Sequence, residues 1–205
     1  MTILRAMSAP AVLALFGPTG VGKTAVAVAL ASRLRARGQR PVAVSADALQ
    51  VYAGLETLTG VAPRTERDAL EHRLVSFVPL QATFSAGAYS ELAHAEIDAL
   101  LAAGRRPLVI GGTGLYLRAA LAELDLRPPP AAGARERWKA ALRERGAASL
   151  HAELSRQAPW AADRIDPNDR HRVVRALELL ETGDPLEEPE QSQLWTEQTR
   201  HPTLL

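Results

Sequence analysis

Apolar positions along this chain follow two spacings, and each predicts a different kind of element. The short runs 11–16, 41–47 and 107–110 are nearly continuous in Val, Leu, Ile, Ala and Phe, as expected of strands buried on both faces. A weaker run, Leu74–Val78, is a further strand in the same series. Between them lie helix-like stretches. One runs from Ala25 to Leu34 and ends near Gly38; another spans 85–103, with Ser85 as its cap and Gly104 as its stop. Strands that alternate with helices predict a parallel sheet covered on both faces, an α/β arrangement. After Leu126 the strands cease. Arg127-Pro128-Pro129-Pro130 is an extended exit, and helices are expected over 134–145, 147–157 and 168–181. Asp166-Pro167-Asn168-Asp169 starts the last of these, and Gly183 with Pro185 stops it. The pattern divides the chain into an α/β core over 1–122, an all-helical insertion over 123–182, and the start of a return to the core over 183–205.

Composition narrows the picture. The 205 residues are 47% hydrophobic and 23% charged, an ordinary globular balance with net charge +1. Overall charge therefore does not announce a nucleic-acid partner. Only Lys23 and Lys139 are lysines, so Lys23 stands chemically alone among arginines. The absence of cysteine excludes disulfides and thiolate metal sites, and fits a reducing cytoplasm. No stretch has the length and hydrophobicity of a membrane span, so no membrane partner is expected.

The chemistry begins at Gly17-Pro18-Thr19-Gly20-Val21-Gly22-Lys23-Thr24, which matches G-x-x-x-x-G-K-[ST] directly after the first strand and before the first helix. The glycines let backbone amides and the helix N-terminus face phosphate oxygens. Lys23 would neutralise the phosphates, and Thr24 would place its hydroxyl on Mg2+. This defines a P-loop NTPase-like sheet. Asp47 ends the second strand and Gly111 the fourth, and ligands of such sheets bind beyond the strands' carboxyl ends. Three chemical stretches are thus expected to share one crevice. In the helical part, Arg135, Lys139 and Arg143 recur at i, i+4, i+8, and Arg172 and Arg175 at i, i+3, with Arg164 and Arg170 nearby. Each arginine alone is ordinary helix surface, with Glu136, Glu144 and Glu178 as partners; together, beside a phosphate crevice, they favour a polyanion-binding face.

The phosphate loop, Ser45-Ala46-Asp47-Ala48-Leu49-Gln50-Val51-Tyr52-Ala53-Gly54, Gly111–Tyr116, and Pro167-Asn168-Asp169 through Arg175-Ala176-Leu177-Glu178 together resemble the tRNA dimethylallyltransferase family. The likeness runs from about Val12 to Gly183. It implies transfer of a dimethylallyl group from dimethylallyl diphosphate to the exocyclic amine of the adenosine 3′ of a tRNA anticodon. The loop would then hold the donor's diphosphate rather than ATP. Asp47 would be the base for the adenine amine, Ala48, Leu49 and Gln50 would line the nucleotide, and Thr113 would contact the reacting ends. Arg135, His171, Arg172, Val173, Val174 and Arg175 would contact tRNA. The implied protein is a cytoplasmic monomer.

The chain also departs from that family. Leu58–Pro63 lacks the usual lysine, Asp166 replaces a His, and Ser76 stands where Asp is common. Members of the family run on beyond the point where this chain stops, so an inactive fragment is an alternative. A P-loop small-molecule kinase or hydrolase shares the loop and Mg2+. An adenylate prenyltransferase shares the donor but has no need of an arginine-rich insertion.

Overall fold

The first apolar run forms β1, Val12–Phe16, and the remaining strands build on it: β2 at Pro41–Ala46, β3 at His72–Arg73, β4 at Arg106–Gly111 and β5 at Thr203–Leu204. They make one parallel sheet in the order β3-β2-β4-β1-β5. The computed structural model describes residues 11–124, 126, 127, 129–184, 186 and 197–205. Expectations that rest on Met1–Pro10, Pro128, Pro185 and 187–196 lie outside the described residues. The chain divides into two compact units, one of Met1–Leu126 with Gln193–Leu205 and the other of Arg127–Ser192.

In the first unit, alternate residues of the strands face opposite layers. Val42, Val44, Ala46 and Val109 pack with Tyr89, Ala93, Ile97 and Leu100 of α4 (Ala86–Ala102) and with Tyr116 and Leu117 of α5 (Gly114–Leu121). Ala43 and Leu108 face the other way, against Ala27, Ala31 and Leu34 of α1 (Lys23–Arg35). Burial at i, i+4 and i+7 or i+8 is what holds each helix to the sheet, since an isolated helix of this length is marginal in water. Ser85 caps α4 by accepting the Ala88 amide at 3.1 Å, and Gly104 stops it with φ 65°. Asp98 of α4 receives Arg200 at 3.0 Å and His201 at 2.7 Å, which ties the approach to β5 against the helix.

The third strand differs from its expected place. Pairing with β2 falls at His72 and Arg73, because Leu74 and Ser76 turn to φ 59° and 52° and cannot continue a ladder. Val78 returns as an isolated parallel bridge to Tyr52. The loop expected through Gly60 and Pro63 contains two short helices, α2 (Glu56–Thr59) and α3 (Arg64–Ala69), with Gly60 closing the first and Pro63 opening the second.

The second unit is all helical among its described residues. It comprises α6 (Ala134–Gln157), α7 (Pro159–Arg164) and α8 (Arg170–Glu181). Gly146, at φ 78° and ψ 164°, breaks α6 where two helices were expected to meet. Leu150, Leu154, Ala161, Val173, Ala176 and Leu177 form the core. The last helix begins at Arg170 rather than Asn168, because Asp169 is its cap and accepts the Arg172 amide at 3.0 Å.

Candidate functional site

The register of the sheet brings the predicted stretches to one edge. Phe16 and Ala46 both pair with Gly111, so Gly17, Asp47 and Gly112 leave three neighbouring strands side by side. Order along that edge follows from the topology, with β4 between β1 and β2. Two glycines make the approach possible. A Cβ on Gly111 would lie 2.3 Å from the Ala46 carbonyl, and one on Gly112 would lie 3.2 Å from the Gly17 carbonyl and 3.5 Å from Lys23 Nζ. The backbone at Gly112 therefore forms a wall of the phosphate loop.

Gly20 and Gly22 adopt φ 83° and 89°, the left-handed conformation that winds the loop into the start of α1. Lys23 folds back, its Nζ donating to the carbonyls of Gly17 and Pro18 at 2.8 Å each. The ammonium thus stands at the loop's mouth, held by the loop's own oxygens. Pro18, Thr19, Gly20, Val21 and Gly22 are exposed or half-buried, and Thr24 lies in the first turn of α1. Among the described residues no group of three or more His, Cys, Asp or Glu is placed to hold a metal. The Thr24 hydroxyl is a hard oxygen donor at the start of α1, of the kind that suits Mg2+.

Asp47 sits at the head of a turn. Its Oδ1 accepts the amides of Leu49 at 2.9 Å and Gln50 at 3.3 Å, which fixes the carboxylate at the strand end. Gln50 itself is spent on the scaffold: Nε2 donates to the carbonyls of Thr59 and Gly60 at 3.1 and 3.2 Å, and Oε1 accepts from Ser45. Its side chain ties the loop after β2 to the end of α2, so of the predicted nucleotide-lining trio, Leu49 is the exposed one and Ala48 packs on the core. Thr113 is the N-cap residue of α5, yet its hydroxyl makes no capping bond, which leaves that hydroxyl available at the strand edge.

Sequence reasoning did not single out Tyr89, and it named Tyr116 only as the end of a motif. Tyr89 donates to the Ser45 carbonyl at 2.8 Å, and its ring lies 4.5 Å from that of Tyr116. Burial first, and then the charges nearby including Asp47, push both phenols above their usual range. They stay neutral and form a partly apolar wall. The spacing 89, 93, 97 on α4 was the available signal, but it announces core and not chemistry.

In the helical unit the predicted RNA-facing residues separate into three groups. Val173 and Val174 are buried, Val173 completely, so their side chains pack inward and direct side-chain contact with RNA does not fit their burial. Arg172 is exposed (72% of its side chain) and pairs with the capping Asp169 at 3.3 Å; His171 is exposed as well. Arg135 and Arg175 instead turn to Glu178. Arg135 meets that carboxylate through Nε and Nη2 at 2.9 and 3.2 Å, and Arg175 through Nη1 at 3.2 Å. This takes Arg135 off the predicted face with Lys139 and Arg143, both exposed. Burial works to raise the Glu178 carboxyl, but the two arginines outweigh it and hold the group below its usual range. A groove of about 510 Å3 beside α7 and α8 is lined by Trp160, Ile165 and Leu179 and rimmed by Arg164, His171 and Arg172.

A parallel sheet with a glycine-wound loop, a lysine at its mouth and helices on both faces is a P-loop NTPase-like α/β protein. The family model described as IPP transferase matches residues 50–205, and the chain belongs to that family. It is 41% identical over 174 residues to the tRNA dimethylallyltransferase of Acidothermus cellulolyticus, covering 85% of this chain and 53% of that protein. With the tRNA dimethylallyltransferase of Rhodopseudomonas palustris it shares 42% over 196 residues, covering 95% and 58%. Among solved structures it is similar to the tRNA isopentenylpyrophosphate transferase of Bacillus halodurans, with TM-score 0.53, 34% identity and coverage of 84% and 56%. It is also similar to a eukaryotic dimethylallyltransferase acting on tRNA, with TM-score 0.65, 25% identity and coverage of 86% and 43%. The chain spans about half the length of the curated relatives it matches.

Proposed function

We propose that this chain carries the donor-binding and adenosine-activating parts of a cytoplasmic tRNA dimethylallyltransferase. The observation that supports the reading most is the meeting of phosphate loop, Asp47 and Thr113 at one sheet edge in a chain of this family. The donor is dimethylallyl diphosphate, its phosphates on the amides of Gly20–Thr24 and on Lys23. The acceptor is the exocyclic amine of the adenosine 3′ of the anticodon.

In the reaction the adenine nitrogen forms a bond to the allylic carbon as that carbon's bond to the diphosphate oxygen breaks. The diphosphate leaves with the electron pair. Lys23, released from the carbonyls of Gly17 and Pro18, meets the charge that develops on it, together with the loop amides and the N-terminus of α1. Asp47 takes the amine proton; with Oδ1 held by the turn, Oδ2 is the oxygen that would accept it. Thr113 donates or accepts a hydrogen bond where donor and acceptor meet. Mg2+, when bound at the Thr24 hydroxyl and the diphosphate, would supply further charge neutralisation.

Single-turnover transfer at saturating donor tests this directly, with tRNA and AMP as alternative acceptors. The parent should modify tRNA and leave AMP unmodified. Asp47→Asn should bind both substrates and lose about a hundred- to ten-thousand-fold in rate. A variant within about threefold of the parent, less than ~1 kcal/mol of barrier, removes Asp47 from the base role.

A further inference from the structure

Two tyrosines stack beside the end of β2, and only one of them has its hydroxyl occupied. Tyr89, from α4, is wholly buried and donates to the Ser45 carbonyl at 2.8 Å, shortly before Asp47. Tyr116 lies against it with ring centres 4.5 Å apart and is 7% exposed. Its own hydroxyl makes no hydrogen bond among the described residues, and the oxygen is not sealed from solvent. A buried tyrosine normally places its hydroxyl on a partner, so one left open in the free protein is available to a ligand. Its position says which ligand. Tyr116 is in the first turn of α5, which leaves β4 beside the end of β2 because Gly111 pairs with Ala46. It shares one cluster with Ala46, and Ala48 and Tyr52 pack on that cluster. Burial first, then Tyr52 and the charge of Asp47, hold the phenol protonated. The hydroxyl is therefore a proton donor within the field of the carboxylate proposed as base.

We propose that Tyr116 is a selectivity residue: its hydroxyl donates to ring N1 of the acceptor adenine and so confines alkylation to the exocyclic amine. This rests on the reading above of Asp47 as the base for that amine. The amine lone pair of adenine is delocalised into the ring, which makes N1 the stronger nucleophile toward an allylic carbon in free solution. Amine and N1 are neighbours on one edge of the base, so a carboxylate facing the first sets a nearby donor opposite the second. Unguarded, N1 would bond to the allylic carbon as that carbon's bond to the diphosphate oxygen breaks. The diphosphate would leave with the electron pair, and the base would carry the positive charge until it lost an amine proton. A hydrogen bond to N1 occupies the lone pair that this attack needs. It also draws electron density from the ring, which makes the amine proton easier for Asp47 to take.

Tyr116→Phe removes the hydroxyl and keeps the ring on Tyr89. It should unfold at the parent's urea midpoint, since it loses no hydrogen bond within the described protein. Transfer should slow by about two- to tenfold, the worth of one hydrogen bond. The signature is regiochemical. With an anticodon stem-loop RNA and dimethylallyl diphosphate, the parent should form the N6 adduct alone, and Tyr116→Phe a mixture with the N1 adduct. Tyr52→Phe, which alters the neighbouring phenol, should form the N6 adduct alone.

The experiment uses the full chain and digests the RNA at neutral pH, because N1 adducts rearrange to N6 adducts in alkali. Liquid chromatography with mass and ultraviolet detection then separates the nucleosides. A folded Tyr116→Phe that forms no N1 adduct overturns the proposal, at whatever rate it turns over. As much N1 adduct from Tyr52→Phe overturns it too. Binding gives a second route if Tyr116→Phe fails to fold. The parent should bind a stem-loop with 1-deazaadenosine at the acceptor position about two- to tenfold more weakly than one with adenosine or 7-deazaadenosine. Equal binding of the 1-deazaadenosine and adenosine RNAs overturns the proposal. Each of these results leaves the tRNA reading intact. A parent that binds dimethylallyl diphosphate but neither binds nor alkylates the RNA overturns both.

Discussion

Gly111 and Gly112 are adjacent, yet a methyl group at each would be felt at a different level. At Gly111 a Cβ meets backbone at 2.3 Å, the carbonyl of Ala46 on the neighbouring strand, and backbone cannot step aside. Gly111→Ala should therefore destabilise the sheet by about 1–3 kcal/mol or more, seen as a lower urea midpoint. At Gly112 the nearest atom is the Gly17 carbonyl at 3.2 Å, with the flexible end of Lys23 at 3.5 Å. Gly112→Ala should leave the urea midpoint nearly unchanged but, on the proposed function, weaken diphosphate binding, because it crowds the loop from which Lys23 would be released. Calorimetric titration with dimethylallyl diphosphate separates the two, with Lys23→Ala as the reference loss. Equal affinity of Gly112→Ala and parent would mean this wall does not border the ligand. At this scale the placement of the loop and Asp47 at one sheet edge was legible because the loop's glycines recur at fixed spacings and Asp47 directly ends an apolar run. The opposite happened with Gln50, Arg135 and Arg175: an exposed polar residue and one that ties the scaffold look alike until its partner is known. Thr59 and Gly60 lie well along the chain from Gln50, and for Arg135 the partner Glu178 is on another helix; Glu178 was already expected as an arginine partner, and for Arg175 it lies three residues on in the same helix.

Elements were legible where one local signal agreed with burial. Ser85 and Gly104 bracket α4, and Gly146 divides α6, because a cap and a positive φ are properties of a few consecutive residues. The third strand was misplaced for the converse reason. Leu74–Val78 has the composition of a strand, but pairing depends on φ, and Leu74 and Ser76 take left-handed values that apolar composition does not reveal. Asp169 shows how a single cap carries an element. It accepts the Arg172 amide at 3.0 Å and pairs with the Arg172 side chain at 3.3 Å. Asp169→Ala should cost the helical unit about 1 kcal/mol, through the orphaned amide rather than the exposed ion pair. Asp169→Asn, which keeps a capping oxygen, should recover most of it. Thermal unfolding followed at Trp138 and Trp160 in a Trp195→Phe background measures both; an Asn variant as unstable as the Ala variant would assign the effect to the ion pair instead.

At the scale of the whole chain, the layered α/β arrangement followed from strand and helix alternation, while the charge distribution that governs pH response emerges only on folding. Two histidines of the sheet unit are central to that response. His72, whose Nδ1 donates to the Leu70 carbonyl at 2.6 Å, is pushed below the usual 6.5 by burial and then by Arg67. His94 is lowered by burial and then by Arg200. For a base whose folded pKa is depressed, the unfolded chain binds the proton first, so stability is full above the unfolded value and declines as pH falls below it. The carboxylates with lowered values act in a separate range: Glu56, Glu71, Asp98 and Glu178 keep their stabilisation until pH falls below their ordinary values of 4.5, 4.5, 3.8 and 4.5. Between pH of about 7.5 and 5.5 the loss should thus come from the histidines. Urea unfolding followed by far-ultraviolet circular dichroism should show a midpoint that falls across this window in the parent. His72→Gln with His94→Gln removes both titrations, and its midpoint should be lower at neutral pH where packing is lost, yet flatter with pH. A double variant with the parent's slope would take the response away from His72 and His94.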